Sequence, residues 1–162
     1  MSAKPDDLVE RFQQALTGRD RRPFEEICAV DVHYEDPFSD LPVRGIGPLA
    51  DHVSQLWVAA PDAKVEPAGP RLTGGRIVSA PLRITGTHTG TAGHLPATGR
   101  TFDTHMVLYC ELDPGRTRLW RIRAFLDAYA LAVQLGILPA RGGAADRALM
   151  VLRGFGLRLP GR

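Results

Sequence analysis

An α+β fold is predicted: a cone-shaped α+β barrel in which a strongly curved mixed or antiparallel sheet, wrapped by N-terminal helices, encloses an apolar pocket. Three observations predict it. Apolar residues recur at helical spacing over the first thirty residues, the period changes to two at Val32, and four strand-like stretches follow Pro61 with only turns and loops between them. Helices ahead of a meandering sheet would leave a conical space open at one end, where a small molecule would bind.

Each element follows from local pattern. From Asp6 to Thr17, Leu8, Val9, Phe12, Ala15 and Leu16 share one stripe, and Asp6, Asp7 and Glu10 lie near the positive end of the helix dipole. Gly18 ends this helix, and a second, over Arg22 to Ala29, buries Phe24, Ile27 and Cys28. Val32-His33-Tyr34-Glu35-Asp36 alternates as a strand, and Pro37 with Asp40-Leu41-Pro42 opens a loop. Leu49, His52, Val53, Leu56 and Trp57 mark a helix over 47–59 that Pro61 stops. Strands are predicted at 63–68, 76–86, 101–112 and 117–126, separated by Thr73-Gly74-Gly75, by a Gly/Thr-rich stretch at 86–99 and by Asp113-Pro114-Gly115. Helices over 127–135 and 144–153 complete the chain.

The 162 residues fit one core. No run reaches the ~20 apolar residues of a membrane span, and the N-terminus lacks an apolar leader, so the chain reads as cytoplasmic. Charge is uneven. Residues 141–162 carry five arginines against Asp146 alone, while residues 1–140 hold 15 basic and 17 acidic side chains. A pocket domain over 1–140 followed by a basic extension over 141–162 is the expected organisation, and a body without a cationic face is not a nucleic-acid binder. The extension is expected to pack across the pocket mouth or a partner subunit through Leu149, Val151, Leu152 and Phe155. Cys28 and Cys110 read as buried free thiols, the only lysines, Lys4 and Lys64, make a Schiff base improbable, and the five histidines show no metal-ligand spacing.

Four strings in order carry a family resemblance: the helix Leu8 to Asp20, then Tyr34-Glu35-Asp36-Pro37, then Gly86-Thr87-His88-Thr89-Gly90 with Leu95-Pro96-Ala97-Thr98-Gly99-Arg100, and finally Asp127 with Gln134-Leu135-Gly136. Over residues 8 to about 137 the chain resembles the nuclear transport factor 2-like superfamily, within it the SnoaL-like polyketide cyclases and the ketosteroid isomerases. The superfamily also includes epoxide hydrolases, dehydratases and non-catalytic binding modules, so the fold alone does not assign chemistry.

In the isomerases the Asp of a similar Glu-Asp-Pro string is the proton-shuttling base, a role that falls here on Asp36. Strand parity agrees: if Val32 and Tyr34 face the cavity, so does Asp36. An apolar pocket would raise its pKa by desolvation. The competing reading is that Asp36 caps the turn before Pro37. The isomerases' oxyanion tyrosine matches Phe12 and their neutral aspartic acid matches about Leu108, so steroid isomerisation by that mechanism is disfavoured. The cyclases place their general acid/base shortly before Gln-Leu-Gly, here Asp127. Relatives often carry Glu and Trp six and four residues earlier, where this chain has Arg121 and Arg123. Parity sets Asp127 with Arg121, Arg123 and Phe125, opposite an apolar face of Trp120, Ile122, Ala124 and Leu126, and a plain helix N-cap remains equally open.

The further substrate-contact candidates are Tyr34 and His105 as hydrogen-bond donors, His88 over the pocket mouth, and Trp57 and Phe12 as wall. For His88 and its loop neighbour His94, exposure is the default. The expected function is a cofactor-independent, metal-free acid/base cyclase or isomerase acting on a hydrophobic, polyketide- or polyether-like small molecule in a biosynthetic pathway. Epoxide opening on the same fold, or a non-catalytic binding or dimerisation module, are the alternatives. A homodimer is expected because Val107, Tyr109 and Leu119 on the outer sheet face need cover.

Overall fold

The computed structural model describes residues 4–153. Helix α1 (Pro5–Ala15) starts at a proline, with Asp6 and Asp7 in its first turn, and buries Leu8, Val9 and Phe12 as the stripe predicts. Helix α2 (Arg22–Ile27) is shorter than expected, because Cys28 turns extended and begins strand β1 (Cys28–Glu35). A two-residue strand β2 (Val43–Arg44) and helix α3 (Ile46–Ala59) follow.

Strands β3 (Lys64–Pro67), β4 (Leu72–Gly74), β5 (Ile77–Thr87), β6 (Thr101–Leu112) and β7 (Leu119–Leu126) then make most of one curved, unclosed sheet ordered β2-β1-β7-β6-β5-β3, with β4 also pairing β5. Strand β4 lies in what reads as a turn, since the chain reverses only at Gly75 (φ 61°). β1 runs parallel to β7 and the other pairings are antiparallel, so the sheet is mixed. Helices α4 (Ala128–Gln134) and α5 (Ala144–Leu152) close the described chain. None of these helices is long and apolar enough to cross a membrane.

The inner sheet face carries the core. Val78, Ala80 and Leu82 of β5, Leu108 and Cys110 of β6, Ile122 and Ala124 of β7, and Val32 and Tyr34 of β1 meet α1 and α2 across it. Phe12 is wholly buried, with its ring edge-on to Phe24 at 5.7 Å between centroids. Both cysteines are free and buried, and burial pushes each thiol up to about 12.

Two irregularities bend the sheet and correct the parity reading. Opposite β6 the register of β7 shifts between Leu112↔Leu119 and Glu111↔Arg121, so Trp120 is the extra residue of a bulge. Leu119 therefore turns inward and is fully buried, while Trp120 leaves the apolar face, donates its indole N–H to Asp31 Oδ2 at 3.2 Å and lies under the Arg121 guanidinium. β1 shifts register in the same region, between Cys28 and His33. The outer face retains Val107 and Phe125 as exposed apolar side chains, beside the ion pairs Arg123–Glu35 and Arg83–Asp103.

The basic extension begins with Arg141 stacked on Tyr129, at 4.3 Å to the ring centroid. α5 forms as expected, but none of its residues is buried and Met150, Val151 and Leu152 are exposed. Its expected packing against the pocket mouth is not found among the described residues, and Phe155 lies outside them.

Because Phe12 is a core residue, Phe12→Ala should lower the unfolding free energy by about 3–5 kcal/mol, as measured by urea denaturation. A loss under about 1 kcal/mol would show that its ring is not packed as described.

Candidate active site

A cavity of about 480 Å³ opens between α3, the inner sheet face and α4, within the size range of small-molecule sites. Its wall is mostly apolar: Val53, Leu56 and Ala59 from α3, Ile84, Phe102 and Met106 from the sheet, Leu131 from α4 and Leu135 at its C-cap, and Leu95 from the loop after β5. The polar side chains that interrupt it are Tyr34, Asp36, His52, Gln55, His88 and Thr104.

Three of these form one network at the end of β1. Tyr34 faces inward with Val32, and Asp36 follows on the same side. Asp36 Oδ1 accepts the Phe38 N–H at 2.9 Å, closing the turn around Pro37, and the Ser39 hydroxyl donates to the Asp36 carbonyl at 3.1 Å. Oδ2 accepts the Tyr34 hydroxyl at 3.1 Å and meets His52 Nε2 at 2.7 Å. The turn-capping and cavity readings of Asp36 thus both hold, one for each carboxylate oxygen. The His52 ring lies 5.5 Å from that of Tyr34, and its Nδ1 hydrogen-bonds to no described residue.

Burial alone would raise the Asp36 pKa, as the sequence reading expects. The His52 hydrogen bond and charge, with the Phe38 amide and the Tyr34 hydroxyl, outweigh it and hold the carboxyl below its ordinary value. Asp36 is therefore a carboxylate near neutral pH. Burial and the neighbouring Asp36 charge push Tyr34 well above its ordinary value, so its hydroxyl stays protonated and donates.

His52 escaped the sequence reading as a site residue, although its signal was present. It is the one strongly polar member of the α3 stripe that includes Leu49, Val53 and Leu56. Helical spacing identified it as inward-facing, but not that the loop after β1 would lay Asp36 against it.

His88 also departs from expectation. It is 3% exposed rather than a solvated loop residue, whereas His94 is exposed. The Thr98 amide donates to His88 Nδ1 at 3.3 Å, and Nε2 is a buried side-chain atom without a hydrogen-bond partner among the described residues. Such an orphan costs about 1–3 kcal/mol.

The other candidates lie elsewhere. Asp127 is exposed, accepts the Ala130 N–H at 2.8 Å as the N-cap of α4, and does not line the cavity. His105 lies on the outer sheet face, because it alternates against Thr104 and Met106, which point inward. Trp57 donates its indole N–H to the Leu16 carbonyl at 2.8 Å and so ties α3 to the end of α1. Phe12 is core rather than cavity wall. The position matched to the isomerases' neutral acid, Leu108, is fully buried and apolar. Among the described residues no three His, Cys, Asp or Glu side chains gather as metal ligands.

The depressed Asp36 pKa sets a pH dependence. Its stabilising contribution is complete above the unfolded-state value of ~3.9 and is lost as pH falls through the lower folded value. Asp36→Asn should therefore destabilise the protein at pH 7 by about 2 kcal/mol while flattening the fall of unfolding free energy below about pH 4. Equal acid limbs in the two proteins, measured by urea denaturation, would refute the network's ionisation.

The chain matches the family model of the SnoaL-like polyketide cyclase over residues 6–135. Among solved structures it resembles a candidate SnoaL-like polyketide cyclase from Jannaschia sp. CCS1, at 19% identity and TM-score 0.74, covering 85% of this chain and 95% of that one. TsrD from Streptomyces laurentii aligns at 20% identity and TM-score 0.70, over 82% of this chain and 95% of its own. IdmH from Streptomyces antibioticus, a candidate polyketide cyclase, aligns at 21% identity and TM-score 0.69, over 83% and 99%. The search of curated proteins yields no match. At these identities the structures speak for the shared fold, while the family model spans most of the sequence: the chain belongs to the SnoaL-like polyketide cyclase family.

Proposed function

We propose that this protein is an acid/base cyclase or isomerase that needs no cofactor and acts on a hydrophobic carbonyl compound of polyketide type. The carrying observation is the Asp36 carboxylate bonded to both His52 and Tyr34 at the wall of an apolar cavity. Asp36 holds the His52 ring with Nε2 toward itself, which leaves Nδ1 as the base. Nδ1 takes a proton from a carbon next to a carbonyl, and the C–H electron pair passes into the enolate. The enolate carbon then attacks a second carbonyl of the same molecule, and the imidazolium returns its proton to the new alkoxide. Between these steps the protonated ring remains 2.7 Å from the Asp36 carboxylate through Nε2. Asp127 has no part in this scheme beyond capping α4.

Tyr34 beside Asp36 gives epoxide opening some support as a second reading: an attacking water or substrate hydroxyl bonds the ring carbon as its C–O bond breaks, Tyr34 protonates the epoxide oxygen, and Asp36 takes the nucleophile's proton and returns it to Tyr34. The exposed position of Asp127 removes the second carboxylate that such a site would use. The binding-module reading loses ground because the cavity is open and Asp36 is held by two side chains rather than by amides alone. A homodimer through the outer face, with Val107 and Phe125 at its centre, is the proposed assembly, and sedimentation equilibrium should give twice the monomer mass.

His52→Gln and Asp36→Asn should each slow ring closure of aromatic β-keto ester precursors by about 10²–10⁴-fold. The same variants should abolish the wild-type protein's acceleration of α-hydrogen exchange in 2-tetralone in D₂O. Asp127→Ala should leave both rates within about twofold and cost about 1 kcal/mol of stability through its lost cap. Unchanged rates in both dyad variants would overturn the mechanism.

A further inference from the structure

His88 is held where a ligand could use it. Strand β5 delivers it just beyond Thr87, and its backbone pairs with the far side of the loop, His88 N–H to the Arg100 carbonyl and Gly99 N–H to the His88 carbonyl, each at 2.9 Å. Two residues later the loop is pressed onto the end of α3: the Gly90 N–H donates to the Ala59 carbonyl at 3.0 Å, and a Cβ at Gly90 would lie 1.8 Å from the Val58 carbonyl oxygen. Only glycine permits that approach, and the seating keeps His88 at the cavity wall.

The ring's tautomer follows from its neighbours. A backbone N–H can only donate, so Nδ1, which receives the Thr98 amide, presents a lone pair. The Thr98 hydroxyl, 3.2 Å from the same nitrogen, can donate to it as well. The ring hydrogen is then on Nε2, which has no hydrogen-bond partner among the described residues. Nε2 has less than 1 Å² of exposed surface, so no water molecule can sit against it in this arrangement. If this position served only to fill an apolar wall, a phenylalanine or leucine would do so without an orphaned donor.

We propose that the Nε2–H of His88 is the anchoring donor of the cavity, reserved for a carbonyl or enolate oxygen of a hydrophobic ligand. This deepens the acid/base reading and rests on it for the identity of that oxygen. His52 removes the proton and His88 holds the oxygen that gains charge, both side chains lining the same cavity. Nε2 is covered in this arrangement, so a ligand that reaches it displaces the groups against it. The site would thus distinguish ketones from hydrocarbons of the same shape, because only a ketone satisfies the donor.

Two probes of equal shape test this: 2-acetylnaphthalene, and 2-isopropenylnaphthalene, in which CH₂ replaces the carbonyl oxygen. Calorimetric titration of the wild-type protein should show the ketone binding roughly three- to tenfold more tightly than the olefin. His88→Phe should erase that preference while binding the olefin at least as well. In ring-¹⁵N-labelled wild-type protein, His88 should carry its hydrogen on Nε2, and that resonance should move with the ketone and not with the olefin, a readout that does not depend on the variant folding. Equal affinity for the two probes, binding of neither, a preference that survives His88→Phe, or a hydrogen on Nδ1 would each overturn the proposal. No turnover is measured, so failure of the His52–Asp36 mechanism shows in the exchange and ring-closure assays alone.

Discussion

The parallel pairing of β1 with β7 is the constraint on which the site is built. The register sets Tyr34 against Ile122 and Glu35 against Arg123. The end of β1, where Asp36 begins its turn, therefore lies beside the last residues of β7, where Ala124 and Leu126 enter the cavity wall and α4 begins. A parallel neighbour cannot be reached by a hairpin, so the chain between the two strands must travel around the molecule. In doing so it lays α3 over the inner face and brings His52 to Asp36. A one-residue slip of this pairing would turn Tyr34 and Asp36 outward.

The Asp36 carboxylate joins two tasks that are usually separate. One oxygen closes the backbone turn at Pro37, and the other gathers a tyrosine and a histidine from different elements. Burial works against its charge, but each hydrogen bond favours it, and together they win. The charge is available without solvent because its partners were assembled by folding.

The cavity shows a related compromise. α1 and α2 fill one part of the sheet's inner face with Leu8, Phe12, Phe24 and Ile27, and there packing is complete. Beyond Tyr34 the inner face borders open space: Val53 belongs to the main core, and Leu56, Leu131 and Leu135 pack against Ala60, Ile84 and Phe102, yet all four also line the cavity. The bulge at Trp120 belongs to the same design, because it sharpens the bend of β7 while keeping Leu119 and Ile122 both inside. Burial of apolar surface elsewhere offsets the contacts that the open space forgoes.

Periodicity alone was sufficient for what is local. The stripe Leu8, Val9, Phe12, the alternation of Val32 and Tyr34, and the long β5 and β6 strands follow from spacing, since a helix and a strand each impose a fixed period on buried side chains. Parity likewise placed Asp36 with Tyr34. Spacing failed where an extra residue breaks the period, as at Trp120 and Leu119, and where a strand is too short to show one, as in β2. It was also blind to pairings between distant segments. Asp36 and His52 are 16 residues apart, and nothing local says that their side chains meet or that the meeting reverses the expected shift of the Asp36 pKa. His88 reads as a loop residue in a Gly/Thr-rich string, yet Gly90 against α3 seals it into the wall. Asp127 shows the converse: resemblance suggested catalysis, and the structure finds the side chain exposed and capping α4. The kind of element at each position was written in the chain, while burial, charge state and company were decided when the sheet curved around them.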